Sequence, residues 1–100
     1  RDMYFEKLFG RRLFIRILQL LVENRDKAFS VSRVASLLNV NPGTASRAMN
    51  RLVERGLVEV MEVTSARARR LYKLKDSAVT RKLIELHEAL AQQFEEGGRL

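Results

Sequence analysis

The side chains best suited to chemistry in this chain lie between Asn41 and Gly56. At 100° per residue, Gly43, Thr44, Arg47, Asn50 and Arg51, with Ser46 at the edge, fall on one helical face, opposite Ala45, Ala48, Met49, Leu52 and Val53. Arginine carries paired donors that match the major-groove acceptors of guanine, and asparagine carries the donor and acceptor that adenine requires. Arg47 and Asn50 are therefore the residues expected at base edges. Gly43 and Thr44 stand at the N-terminal end, where small side chains permit close approach and free amides favour phosphate. A surface helix with an ordinary solvated face would carry the same pattern, so the flanking segments decide between the readings.

Three more cations, Arg67, Arg69 and Arg70, sit in a stretch, Thr64 to Arg70, without core-building pattern. It separates two runs of strand character and reads as a hairpin tip, and arginine is attracted to the concentrated negative potential of a narrow minor groove. Residues 43–75 hold eight basic and three acidic side chains, net +5, whereas residues 76–100 hold three basic and five acidic, net −2. The whole chain has 19 Lys and Arg against 12 Asp and Glu, net +7. Positive charge is thus concentrated in one segment, as binding to a polyanion through counterion release requires. Ser32 and Arg33, at the start of the preceding helix, and Arg11, Arg12 and Arg16 are two further sets able to contact phosphates, and the second set reads more simply as a solvated face.

Other chemistries lack their residues. With no Cys and one His, a disulfide framework, a thiolate metal site, a thiol nucleophile and an all-imidazole zinc site are out of reach. No Gly-rich phosphate loop and no nucleophile with a base appears, so no enzyme activity and no cofactor are expected. His87 reads as a partly exposed interface histidine, Glu85, Glu88, Glu95 and Glu96 as a solvated helix face, and Met3, Met49 and Met61 as fillers. No apolar run approaches the roughly 18 residues of a membrane span, so a cytoplasmic, nucleoid-associated protein without membrane partners is expected. The sequence begins at Arg1, as a processed chain or a fragment would.

One hundred residues fit a single domain, 1–100, that buries only about two-thirds of its unfolded surface. Tyr4 to Phe9 predicts a short helix running into a longer one from Leu13 to Val22. Ala28-Phe29 predicts a strand stub, Ser30 an N-cap, and Val31 to Leu38 a second helix with Val34, Ala35 and Leu38 inward. Asn41 caps a third helix over about 42–55 with Pro42 at its first position, and Gly56 ends it. Leu57 to Val63 and Leu71 to Lys75 predict two strands, within a hairpin of about 57–75. Asp76-Ser77 cap a last helix of about 77–96. The fold class expected is mainly α with a small β-hairpin (α+β).

The order helix, strand stub, helix, short turn, helix, hairpin, helix resembles the winged helix-turn-helix domain of prokaryotic MarR- and ArsR-type regulators over a core of about 9–75. Phe29 to Arg47, followed by Leu52-Val53-Glu54-Arg55-Gly56-Leu57-Val58, carries the resemblance. It implies a recognition helix at 42–55, a wing at 57–75 and a second helix crossing the backbone, which puts Ser32 and Arg33 at phosphates. The Cys or His clusters of metal-sensing ArsR-type members are missing, so a metal sensor is not expected. It also implies that the last helix pairs with a twofold-related copy. The expected dimer interface is Tyr4, Phe5, Leu8, Val79, Leu83, Leu86, Leu90 and Phe94, the alternative being that both terminal helices pack on their own core. The expected function is sequence-specific double-stranded DNA binding as a homodimeric transcription regulator. Replication, plasmid partition, nucleoid organisation and a protein-interaction adaptor are the alternatives, and no small-molecule effector can be named.

Overall fold

The structure, a computed structural model, describes residues 4–63 and 69–97. In chain order it contains α1 (Tyr4–Phe9), α2 (Leu13–Glu23), α3 (Val31–Leu38), α4 (Pro42–Glu54), β1 (Val58–Val63), β2 (Arg69–Leu74) and α5 (Ala78–Gly97). The expected α+β class holds, with five helices and one antiparallel hairpin among the described residues.

Short-range chemistry sets the boundaries. Gly10, at φ +94°, breaks α1 from α2, and its amide closes on the Glu6 carbonyl at 2.9 Å. Ser30 accepts the Arg33 amide at 3.1 Å to start α3. Asn39 ends α3 in the left-handed region at φ 57°, which its short polar side chain tolerates. Asn41 then caps α4, Pro42 takes the first turn, where no amide partner is needed, and Gly56, at φ +76°, stops the chain behind Arg55. On α5, the Ser77 hydroxyl accepts the Thr80 amide at 3.2 Å and the Thr80 hydroxyl accepts the Ser77 amide at 3.0 Å. This reciprocal cap is completed by the Thr80 hydroxyl donating to the Lys75 carbonyl, which explains why Thr80 is buried.

The core lies where α1, α2, α4, the hairpin and α5 converge. Phe5, Ile17, Leu21, Val22, Val34, Met49 and Leu52 are fully buried, and Val58, Tyr72, Leu74 and Leu90 close over them. The hairpin pairs Val58 with Leu74 and Val60 with Tyr72. The strand stub forms as a single bridge on the other edge of β2: Phe29 and Tyr72 exchange amide-to-carbonyl bonds of 2.8 and 2.7 Å.

Several expectations are corrected. Arg69 and Arg70 belong to β2, opposite Val63 and Glu62, rather than to the hairpin tip, because pairing continues beyond the apolar run and places opposite charges across from each other at Glu62 and Arg70. Arg67 lies outside the described residues. In the first turn of α5 Thr80 is buried, and Val79, expected at the dimer interface, is 60% exposed and so not used by this chain's own core. Tyr4, Phe5 and Leu90, expected at an interface between copies, are buried in this chain's own core, and Phe94 stacks on Tyr4 with ring centres 6.1 Å apart. The Phe5 amide donates to the buried Gln19 side chain at 2.8 Å, which ties α1 to α2. His87 is nearly enclosed, in edge-to-face contact with Tyr4 and Phe5, each with ring centres 5.7 Å from its own. No helix among the described residues is long and apolar enough to cross a membrane.

Candidate nucleic-acid interface

Helix α4 divides cleanly between support and display. Ala45, Met49 and Leu52 are fully buried and Ala48 nearly so, while Gly43, Thr44, Arg47, Asn50 and Arg51 are exposed and Ser46 is half-buried. The apolar side fixes the helix against α2, α3 and the hairpin, so the polar side is held rigidly outward.

At its N-terminal end the side chain of Asn41 accepts the amides of Gly43 at 2.7 Å and Thr44 at 3.4 Å. This corrects the expectation that both amides are free for phosphate: the cap occupies them. Gly43 is small for the same reason, since a Cβ there would sit 3.1 Å from the Asn41 Oδ1. One turn on, the Arg47 guanidinium donates to the Thr44 hydroxyl at 3.3 Å, which leans it along the helix toward its start. Asn50 lies on the hairpin side, where the Tyr72 hydroxyl is 3.5 Å from its Oδ1.

Ser32 and Arg33 are exposed in the first turn of α3, and Arg69 and Arg70 are exposed on β2. The arginines at the start of α2 have three different fates. Arg11 pairs with Glu6 at 2.8 Å, and Arg16 donates to the Leu38 carbonyl at 3.2 Å, capping the end of α3 instead of joining a solvated face. Arg12 instead lines a groove of about 830 Å³ between the start of α2 and the outer side of α4. Arg47, Arg51 and Arg55 line its other wall, and Phe14 and Leu57 contribute to its floor. Sequence reasoning did not single out Arg55, although it continues the four-residue row from Arg47. Among the described residues no group of three or more His, Asp or Glu could hold a metal ion.

A family model described as a helix-turn-helix domain matches residues 10–60, which are α2, α3, α4 and the start of β1. The chain belongs to the helix-turn-helix domain family. No curated protein matches it. Among solved structures, the domain is similar to a mutant of ZitR from Lactococcus lactis at 21% identity and TM-score 0.62, covering 82% of this chain and 57% of that one. This chain therefore spans little more than half of that ZitR chain. A mutant of MepR from a multidrug-resistant S. aureus clinical isolate is similar at 18% identity and TM-score 0.68, covering 98% and 72%. A transcriptional regulator homologue from Pyrococcus horikoshii follows at 19% identity and TM-score 0.66, covering 94% and 90%. These likenesses establish the winged-helix fold expected from the resemblance to MarR- and ArsR-type regulators.

Proposed function

We propose that this domain binds double-stranded DNA in a sequence-specific manner as a homodimeric transcription regulator. The observation that carries the reading is the exposed row Gly43, Thr44, Arg47, Asn50 and Arg51 on a helix whose opposite side buries Ala45, Ala48, Met49 and Leu52. A helix enters the major groove with its N-terminal residues toward the base edges, and this row begins at that end. Arg47 and Asn50 read bases; Ser32, Arg33, Arg51, Arg69 and Arg70 hold phosphates and set the register, and Arg67, outside the described residues, is assigned the same role from its place in the sequence.

The homodimer draws on what α1 and α5 leave outside the core. Leu8 is 49% and Val79 60% exposed, and Leu83 and Leu86 are half-buried. Val79, Leu83 and Leu86 follow one another at helical spacing along α5 and form the proposed contact with a second copy. A twofold would set two recognition helices about 34 Å apart, matching a palindrome.

The test is selection from a randomised duplex pool at near-physiological salt. Enrichment of a palindrome with half-sites about one helical turn apart is expected. Retention without enrichment would make the protein architectural, and no retention would point to an adaptor. Arg47→Ala should cost about 1–3 kcal/mol and relax preference at one base position. Equal losses on selected and random duplexes would remove Arg47 from base reading.

A further inference from the structure

We infer that the groove between the start of α2 and α4 is a second phosphate-binding flank, in which Arg12 and Arg55 grip the DNA backbone on the side of the recognition helix away from the hairpin. The inference rests on the DNA-binding reading above and adds two residues and a location to it.

Four guanidiniums, those of Arg12, Arg47, Arg51 and Arg55, line this groove, and none of its lining residues is a carboxylate. Among the described residues none of the four is in an ion pair, whereas Arg11, one residue away, is neutralised by Glu6. Four like charges along one groove without internal compensation call for an anionic partner, and a row of them fits a row of phosphates better than a single charge. Arginine is suited to the task because its planar donor fork matches phosphate oxygens.

Spacing along α4 gives each arginine a different depth. From Arg47 to Arg55 the helix rises about 12 Å, more than the roughly 8.5 Å depth of the major groove. With the N-terminal end innermost, Arg47 stands at base edges, Arg51 part-way out and Arg55 beside the sugar-phosphate strand that forms the lip. The groove supports this outer position, because the Arg55 guanidinium lies over the Phe14 ring at 5.2 Å, which restrains its direction before any partner arrives. Arg12, the residue before α2 begins, stands on the facing wall and adds a second fork to the same lip. Asn50 marks the opposite flank, toward Tyr72 and the hairpin, so the two flanks straddle the reading face.

The experiment is the salt dependence of binding, by fluorescence anisotropy, of the full chain and of Arg12→Gln, Arg55→Gln and the double variant on a selected and a random duplex. Glutamine keeps most of the stem and removes the charge, and circular dichroism checks the fold. Each single variant is expected to lower the slope of log K against log salt by about 0.9 and the double by about twice that, equally on both duplexes, with base preference unchanged. Unchanged slopes in folded variants of a protein that binds DNA would overturn the inference and leave the DNA reading standing. Unchanged slopes together with lost binding of 8-anilinonaphthalene-1-sulfonate would assign the groove to small organic anions instead. A wild-type chain that binds neither duplex would overturn both readings.

Discussion

Asn41 couples the stability of the recognition helix to its proposed use, and the two respond to one substitution with opposite signs. Its Oδ1 holds the amides of Gly43 and Thr44. Asn41→Ala removes that acceptor, at a cost of about 1 kcal/mol, which lowers the melting temperature of a domain this size by roughly 4–8 °C. Asn41→Asp keeps the acceptor and adds a negative charge at the positive end of the helix dipole, worth about 0.3–1 kcal/mol in the stabilising direction. Its melting temperature should equal or exceed that of the wild type. In the proposed complex the same carboxylate meets the phosphate backbone. At about 8 Å the repulsion is about 0.5 kcal/mol in water and about 2 kcal/mol at an effective dielectric near 20, a loss of roughly two- to thirty-fold in affinity. Raising the salt should shrink that loss. Thermal melts followed by circular dichroism, with anisotropy on one duplex at two salt concentrations, read both quantities. An Asn41→Asp protein that is as stable as the wild type and binds DNA equally well at low salt would refute the placement of this helix end inside the DNA groove. Wild-type stability in Asn41→Ala would refute the cap.

Other outcomes follow from the same structure. Leu52, fully buried beneath the recognition helix, should cost about 2–5 kcal/mol when replaced by alanine; urea denaturation measures it, and a loss below 1 kcal/mol would mean the site collapses without a cavity. Gly56→Ala forces a side chain into the left-handed region at φ +76° and should destabilise by about 1–2 kcal/mol, even though no neighbour lies within reach of the new methyl. Val79→Glu with Leu83→Glu should convert a homodimer into a folded monomer in sedimentation equilibrium; an unchanged dimer would move the interface elsewhere.

Features carried by a few adjacent residues were legible from sequence. Ser30, Asn41-Pro42 and Gly56 set boundaries through hydrogen bonds or backbone angles within a few residues of themselves, and the two faces of α4 follow from its period alone. What depends on distant partners was not. The charges of Arg69 and Arg70 suggest a loop, yet the register with Val63 and Glu62 draws them into a strand. The spacing of Val79, Leu83, Leu86 and Leu90 marks an apolar stripe on α5 but not the burial of Thr80 beside it, which comes from the bonds of its hydroxyl to Ser77 and Lys75. Tyr4 and Phe5 look like spare apolar surface until α5 is seen to return against them, with the Tyr4 hydroxyl donating to Glu95 at 2.8 Å. In the same way Arg11, Arg12 and Arg16 are alike in sequence. Only their surroundings, Glu6, the groove beside α4 and the Leu38 carbonyl, separate an ion pair, a cation with no ion pair among the described residues and a helix cap.

The central claim is that the exposed face of α4 meets DNA. Titration of the ¹⁵N-labelled protein with a selected duplex, followed amide by amide, tests it most directly. The account predicts that the largest shifts fall on Gly43 to Arg51, with smaller ones at Ser32, Arg33, Arg69 and Arg70, while the outward side of α5 around Val79 stays still. Shifts centred on α5 or α1 with residues 43–51 unmoved would contradict it.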